Sequence, residues 1–220
     1  MWISPAADRI IPAMGDPALK LPTFEELYTQ IEHLPQGMTG EILEPGVLRT
    51  MSRPGRRHGR VAKQILRGLG GFDVEDGGKG WWILIEPEIR LPGGRLAVPD
   101  LVGYRVELVP DLPDDNPIPI VPDWCCEILS PSTAREDRIL KLPLYARSGV
   151  TWVWLVEPGL RTVEVFETVH QRPALTVVAG DEEAPVLPPF EGAFTLASWW
   201  APRREEPGAG GEGAKPAGAP

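Results

Sequence analysis

Val98-Pro99-Asp100-Leu101-Val102 and Trp124-Cys125-Cys126-Glu127-Ile128-Leu129-Ser130 decide how this chain is read. Each is an apolar run of strand-forming residues with a single carboxylate inside it. An ionised Asp or Glu in a buried strand is costly unless something positive meets it. One such carboxylate is explained by a solvated strand end. Two of them, separated by a proline-rich excursion, point to neighbouring strands that share a cation. Pro99 cannot donate a ladder hydrogen bond, so Asp100 is expected at a strand edge, start or bulge.

Before the first run, Trp81 to Leu91 reads as a strand followed by alternation, and Gly93-Gly94 makes a turn into the Asp100 strand, a β-hairpin. Between the two runs, Glu107 to Pro122 carries five prolines and three aspartates and is expected as an exposed loop. After the second, Thr133 and Glu136 form a capping-box pattern that opens a helix to about Arg147, with Pro143 set to kink or split it. Strands follow at Thr151–Val156, Arg161–Glu167 and Leu175–Ala179, and Phe194–Trp200 closes the apolar part.

Further toward the N-terminus, Thr23-Phe24-Glu25-Glu26 is a second capping box, and Leu27, Ile31 and Leu34 recur at helical spacing. Glu41 to Leu48 reads as two short strands around a Pro-Gly turn. A basic loop, Ser52–Gly59, leads into a helix from about His58 to Leu69 that places Val61, Ile65, Leu66 and Leu69 on one face. The element order describes an α+β (mixed α/β) domain around one central sheet flanked by helices. Residues 23–200 form that domain, residues 1–22 a leader or arm, and residues 201–220, which hold only charge, Gly, Ala and Pro after Arg203, a disordered tail.

The chain has 220 residues, a net charge of −9, and 42% hydrophobic residues, which fits one soluble domain with a sizeable core. No apolar run approaches the ~20 residues of a membrane span. The N-terminus lacks a signal pattern, and adjacent Cys125 and Cys126 give no disulfide framework, so a cytoplasmic location is expected. The acidic balance argues mildly against a protein that coats nucleic acid. Yet Pro45–Phe72 contains no Asp or Glu and holds Arg49, Arg53, Arg56, Arg57, Arg60, Lys63 and Arg67. Such a segment serves equally as a phosphate-binding surface or as a solvated helix face.

With these residues in place, the sequence resembles the Uma-two family of the PD-(D/E)XK restriction-endonuclease-like superfamily. The resemblance rests on Pro99-Asp100, Glu127-Ile128-Leu129-Ser130-Pro131-Ser132-Thr133, Asp137, Lys141, Tyr145, Gly149-Val150 and Trp154-Leu155-Val156-Glu157-Pro158. Glu41, Gly46, Met51 and His58-Gly59 match its N-terminal half, and roughly residues 23–200 are covered. It implies a restriction-endonuclease-like central mixed sheet and a DNA endonuclease using Mg²⁺, with Mn²⁺ able to replace it. Asp100 and Glu127 would be metal ligands. Glu88, by its alternation toward the same region, serves equally as an extra ligand or as a solvated hairpin residue. The superfamily places a lysine two residues after the glutamate, and here that position is Leu129. Lys141 on the following helix is the natural substitute, supported by Asp137, which shares its helix face; Glu41 is expected either to approach the metal in a supporting place or to pair with an arginine. Arg53, Arg56, Arg57, His58, Arg60 and Lys63 would hold the DNA backbone. A homodimer is implied because two sites most simply cut two strands. Two other classes stay open: a degenerate nuclease fold that binds nucleic acid or protein without cutting, and a structural or toxin-like partner protein.

Overall fold

In the computed structural model, residues 20–52, 55–181 and 184–200 are described. The expected leader and tail lie outside them, apart from residues 20–22. Helix α1 (Phe24–Glu32) starts at the Thr23 capping box: Thr23 Oγ1 accepts from the Glu26 amide, and the Glu26 carboxylate accepts from the Thr23 amide at 2.7 Å. It buries Leu27 and Ile31. Strands β1 (Met38–Glu44) and β2 (Val47–Ser52) pair antiparallel across the Pro45-Gly46 turn. Helix α2 (Arg56–Leu69) buries Val61, Ala62, Ile65 and Leu69.

Two sheets, not one, organise the remainder. Strands β3 (Trp81–Ile85), β6 (Leu101–Arg105), β7 (Trp124–Ile128), β8 (Trp152–Glu157), β9 (Thr162–Val169) and β10 (Arg172–Gly180) form a six-stranded sheet in the order β10-β9-β8-β7-β6-β3. Its β7–β8 pair is parallel and its other pairs are antiparallel. Strands β4 (Ile89–Leu91) and β5 (Arg95–Ala97) join β1 and β2 in a four-stranded sheet ordered β2-β1-β5-β4. The hairpin around Gly93-Gly94 exists, but its return strand is β5, not the strand that follows Asp100. Val98-Pro99-Asp100 is instead the crossing between the sheets. Pro99 brings no amide hydrogen to a ladder, and the Val98 amide donates to the Glu41 side chain rather than to a strand.

Both faces of the six-stranded sheet are covered, which is why β7 is buried along its whole length. Trp124, Cys126 and Ile128 pack with α2, Trp154, Phe190 and Trp199 on one side. Cys125, Leu129, Val153 and Leu155 pack with Leu142, Leu144 and Tyr145 on the other. Among the described residues the tryptophans serve as core and sheet cover, with Trp82 and Trp152 half-buried. The proline-rich loop is less exposed than its composition suggests, since it sends Val109 and Ile118 into the core.

The helix after Glu127 departs from expectation. Thr133 makes no capping bond; its hydroxyl accepts from the Ser130 amide, and Glu136 pairs with Arg49. A short α3 (Ala134–Glu136) runs into a π turn at Asp137–Lys141, and α4 (Leu142–Ser148) continues from it. The Leu142 amide reaches back to the Asp137 carbonyl, five residues earlier. Pro143 follows at once and has no amide hydrogen to continue an α ladder, so the widened turn absorbs the irregularity.

Candidate active site

Asp100 and Glu127 are brought side by side because β6 and β7 are antiparallel neighbours, with Leu101 opposite Cys126. That register sets Asp100 opposite Glu127, and directly opposed residues point to one face of the sheet. Asp100 is 9% exposed and Glu127 is 3% exposed. Asp100 Oδ2 accepts from the Ile128 amide at 2.6 Å, which fixes the carboxylate across the strand pair.

Lys141 closes the cluster from above. Its Nζ lies 2.9 Å from Glu41 Oε1, 3.3 Å from Glu127 Oε1 and 3.8 Å from Asp137 Oδ1. The π turn sets Asp137 and Lys141 on one side of the helix, and both side chains are buried. Burial works against the ammonium, but Glu127, Glu41 and Asp137 outweigh it and hold Lys141 well above the ordinary lysine range. Burial likewise drives Glu127 well above the usual carboxylate range, with Lys141 only partly opposing it. Asp137 is pushed up to about 6, chiefly by burial, again against the pull of Lys141.

Glu41 comes from β1 of the smaller sheet and is fully buried. Its Oε1 accepts from the Val98 amide at 2.8 Å and from Lys141, while its Oε2 is buried without a hydrogen-bond partner. His58, in the first turn of α2, was expected on phosphate. It is half-buried and its Nε2 donates to Asp100 Oδ1 at 2.7 Å. Tyr145 on α4 donates its hydroxyl to Glu127 Oε1. The sequence reading gave Tyr145 no role, and no local signal would have, because its partner lies on another element.

The remaining expected residues divide. Glu88 stands apart from the cluster's hydrogen bonds: its carboxylate accepts from the Tyr28 hydroxyl at 2.7 Å and the Asn116 amide at 3.1 Å. Arg53 and the Arg57 side chain lie outside the described residues. Arg56, Arg60 and Lys63 are exposed on α2, and Arg67 continues the same stripe. Among the described residues no acid pairs with any of these four. Arg49, by contrast, is held by Glu44 and Glu136. Leu129 is 3% exposed in the apolar cluster beneath α4.

Among the described residues, no three His, Cys, Asp or Glu side chains converge as a ready metal cage. The donor set nevertheless fits a hard cation. Three buried carboxylates, Glu41, Glu127 and Asp137, surround one buried ammonium, a fourth, Asp100, is held by His58 and the Ile128 amide, and one oxygen of Glu41 has no partner. Such an excess of buried negative charge asks for protons or a cation. Two strand carboxylates suit Mg²⁺, which keeps several waters and needs few protein ligands.

The profile of the Uma2 family, described as "Putative restriction endonuclease", matches residues 24–198. A search of curated proteins finds no match. Among solved structures, the chain is similar to one from Anabaena variabilis described as "a putative nuclease belonging to DUF820". The TM-score is 0.61 at 21% identity, covering 81% of this chain and 98% of that one. At that identity the likeness shows the fold, which is restriction-endonuclease-like.

Proposed function

This chain belongs to the Uma2 family, and from that membership we propose that it is a nuclease, specifically a divalent-metal-dependent DNA endonuclease. Asp100 and Glu127 are its metal ligands, and Mg²⁺ is the ion, with Mn²⁺ as a substitute. The reading is carried by one observation: Asp100 and Glu127 stand opposite each other on neighbouring strands, with the Lys141 ammonium 3.3 Å from Glu127.

The metal, when bound, polarises a phosphoryl oxygen and lowers the pKa of a water. Lys141 supplies fixed positive charge beside the reacting phosphate. A single such donor is worth about 3–4 kcal/mol in comparable sites. Glu41 and Asp137 hold that ammonium in place. Lys141 thus takes the part that Leu129 cannot, reaching the same carboxylate from the helix instead of the strand. Arg56, Arg60 and Lys63 hold the DNA backbone on the exposed side of α2, and Arg53 and Arg57 extend the basic segment toward its start.

Plasmid nicking tests this. Wild-type protein is expected to nick supercoiled DNA with Mg²⁺ and not with a chelator, and Asp100→Ala and Glu127→Ala to be inactive while folded. Nicking that survives either substitution, or needs no metal, overturns the reading. Leu129 at the superfamily's lysine position favours a second reading, a binding module that does not cut. Calorimetric titration with Mn²⁺ separates the two, since a module without catalysis has no need of an ion at Asp100 and Glu127. Two copies acting together on a duplex remain part of the proposal, checked by the mass of the protein on DNA.

A further inference from the structure

His58 is the residue whose observed partner differs most from its sequence-based expectation. It opens the basic helix, three residues from the end of a loop, where an exposed or capping histidine, or a phosphate contact, is expected. Its ring is turned inward, however, and Nε2 lies 2.7 Å from Asp100 Oδ1. The carboxylate accepts, so the ring donates. The other oxygen, Oδ2, accepts from the Ile128 amide at 2.6 Å. Asp100 is therefore gripped from two sides, by a strand amide of β7 and by a side chain of α2. Asp100 sits at the crossing between sheets, immediately after Pro99, where its carbonyl accepts from the Glu86 amide just past the end of β3. A carboxylate at such a place has few backbone bonds to fix its side chain, and the imidazole provides the missing restraint.

We infer that His58 is a positioning residue for Asp100, setting the carboxylate for a divalent cation, and that it is not a phosphate contact. This rests on the metal-centre reading above. The surrounding basic stripe and His58 then divide the work of one helix. Arg56, Arg60 and Lys63 point to solvent, while His58 faces the carboxylates. Partners that orient a metal ligand typically alter metal affinity or activity by roughly 10- to 100-fold when removed.

The test uses full-length wild type, His58→Ala, His58→Gln and His58→Asn, with Mn²⁺ as the probe. Mn²⁺ affinity is measured by calorimetry and by electron paramagnetic resonance, and DNA affinity separately in chelator. His58→Ala and His58→Asn are expected to weaken Mn²⁺ binding about 10-fold or more with DNA affinity unchanged. His58→Gln, whose amide nitrogen reaches the place of Nε2, is expected to restore most of it. Thermal melts without metal confirm that each variant is folded, and an unfolded His58→Ala leaves the Gln–Asn contrast to decide. Weaker DNA binding with unchanged Mn²⁺ affinity, or Gln and Asn behaving alike, overturns the inference. If Asp100→Ala binds Mn²⁺ as wild type does, the metal-centre reading itself fails, and that result is independent of any variant at His58.

Discussion

The Lys141 ammonium stands 3.3 Å from Oε1 of Glu127, although one residue is in a strand and the other on the helix that follows it. Both are nearly inaccessible, and Glu41 and Asp137 share the same ammonium. A cation enclosed by three acids holds them at close range. It also ties both sheets and the helix to one point, since Glu41 belongs to the smaller sheet and Glu127 to the larger.

Removing that ammonium leaves three buried carboxylates facing one another. Breaking a buried pair by deleting one partner costs about 3–5 kcal/mol, because an uncompensated charge stays behind. Lys141→Met is expected to lose stability on that scale in metal-free buffer near pH 7.5, read by urea unfolding. A loss below about 1 kcal/mol, the range of exposed pairs, would show that the cluster takes up protons or water instead.

Asp137 gives the cluster a pH signature. Its folded pKa, pushed up to about 6 from 3.8 by burial, lies above the unfolded value. The folded state therefore binds more protons than the unfolded state between roughly pH 4 and pH 6. Stability from this group falls as pH rises through that window, by up to about 3 kcal/mol at 1.4 kcal/mol per unit. Glu127, also raised by burial, acts in the same direction. Asp137→Asn removes the titrating group. Relative to wild type, it is expected to gain stability between pH 4.5 and pH 7 in chelator, measured by urea unfolding at a series of pH values. A constant difference would mean that Asp137 titrates in its ordinary range.

The elements that sequence revealed are those whose cause is local. The Thr23–Glu26 capping box, the Pro45-Gly46 turn and the amphipathic period of α2 each lie within a few residues. The adjacency of Asp100 and Glu127 was also legible, because a carboxylate in an apolar strand run is conspicuous. What escaped depends on distant partners. Glu136 fits a capping box equally well, and only the approach of Arg49 from β2 decides otherwise. Glu88 alternates toward the site in sequence, but Tyr28 and Asn116 claim its carboxylate. The division into two sheets hinges on β5 pairing with β1, a contact between Ile42 and Leu96 that hydrophobic periodicity does not encode. Pro143 signalled an irregular helix, but not that a π turn before it would carry Asp137 and Lys141 inward together.

The stripe on α2 predicts a salt dependence. Arg56, Arg60, Lys63 and Arg67 are exposed, with no acid among the described residues pairing with them. Each phosphate contact contributes about −0.9 to the slope of log affinity against log salt on duplex DNA. Arg60→Ala and Lys63→Ala are each expected to weaken DNA binding and make that slope shallower by about one contact. Their unfolding free energy should stay within about 0.5 kcal/mol of wild type. Fluorescence anisotropy at several salt concentrations, without metal, reads both quantities. An unchanged slope would assign the stripe to solvation alone.

Leu129 offers the sharpest check on how the ammonium reaches Glu127. Residues 127 and 129 project to the same side of the chain, and Leu129 is buried beneath α4 close to the helix that carries Lys141. A lysine has four flexible methylenes that can lie along apolar surface while its charge seeks an acid. In a Lys141→Met background, Leu129→Lys therefore returns a cation to the same carboxylates from the strand side. The double variant is expected to recover about half or more of the 3–5 kcal/mol that a broken buried pair costs, and to regain Mg²⁺-dependent nicking lost in Lys141→Met. Paired urea unfolding and plasmid assays on the two variants decide it. If the double variant is less stable than Lys141→Met, the strand position cannot deliver charge to Glu127 in this fold, and the helix is the sole route by which the site acquires its ammonium.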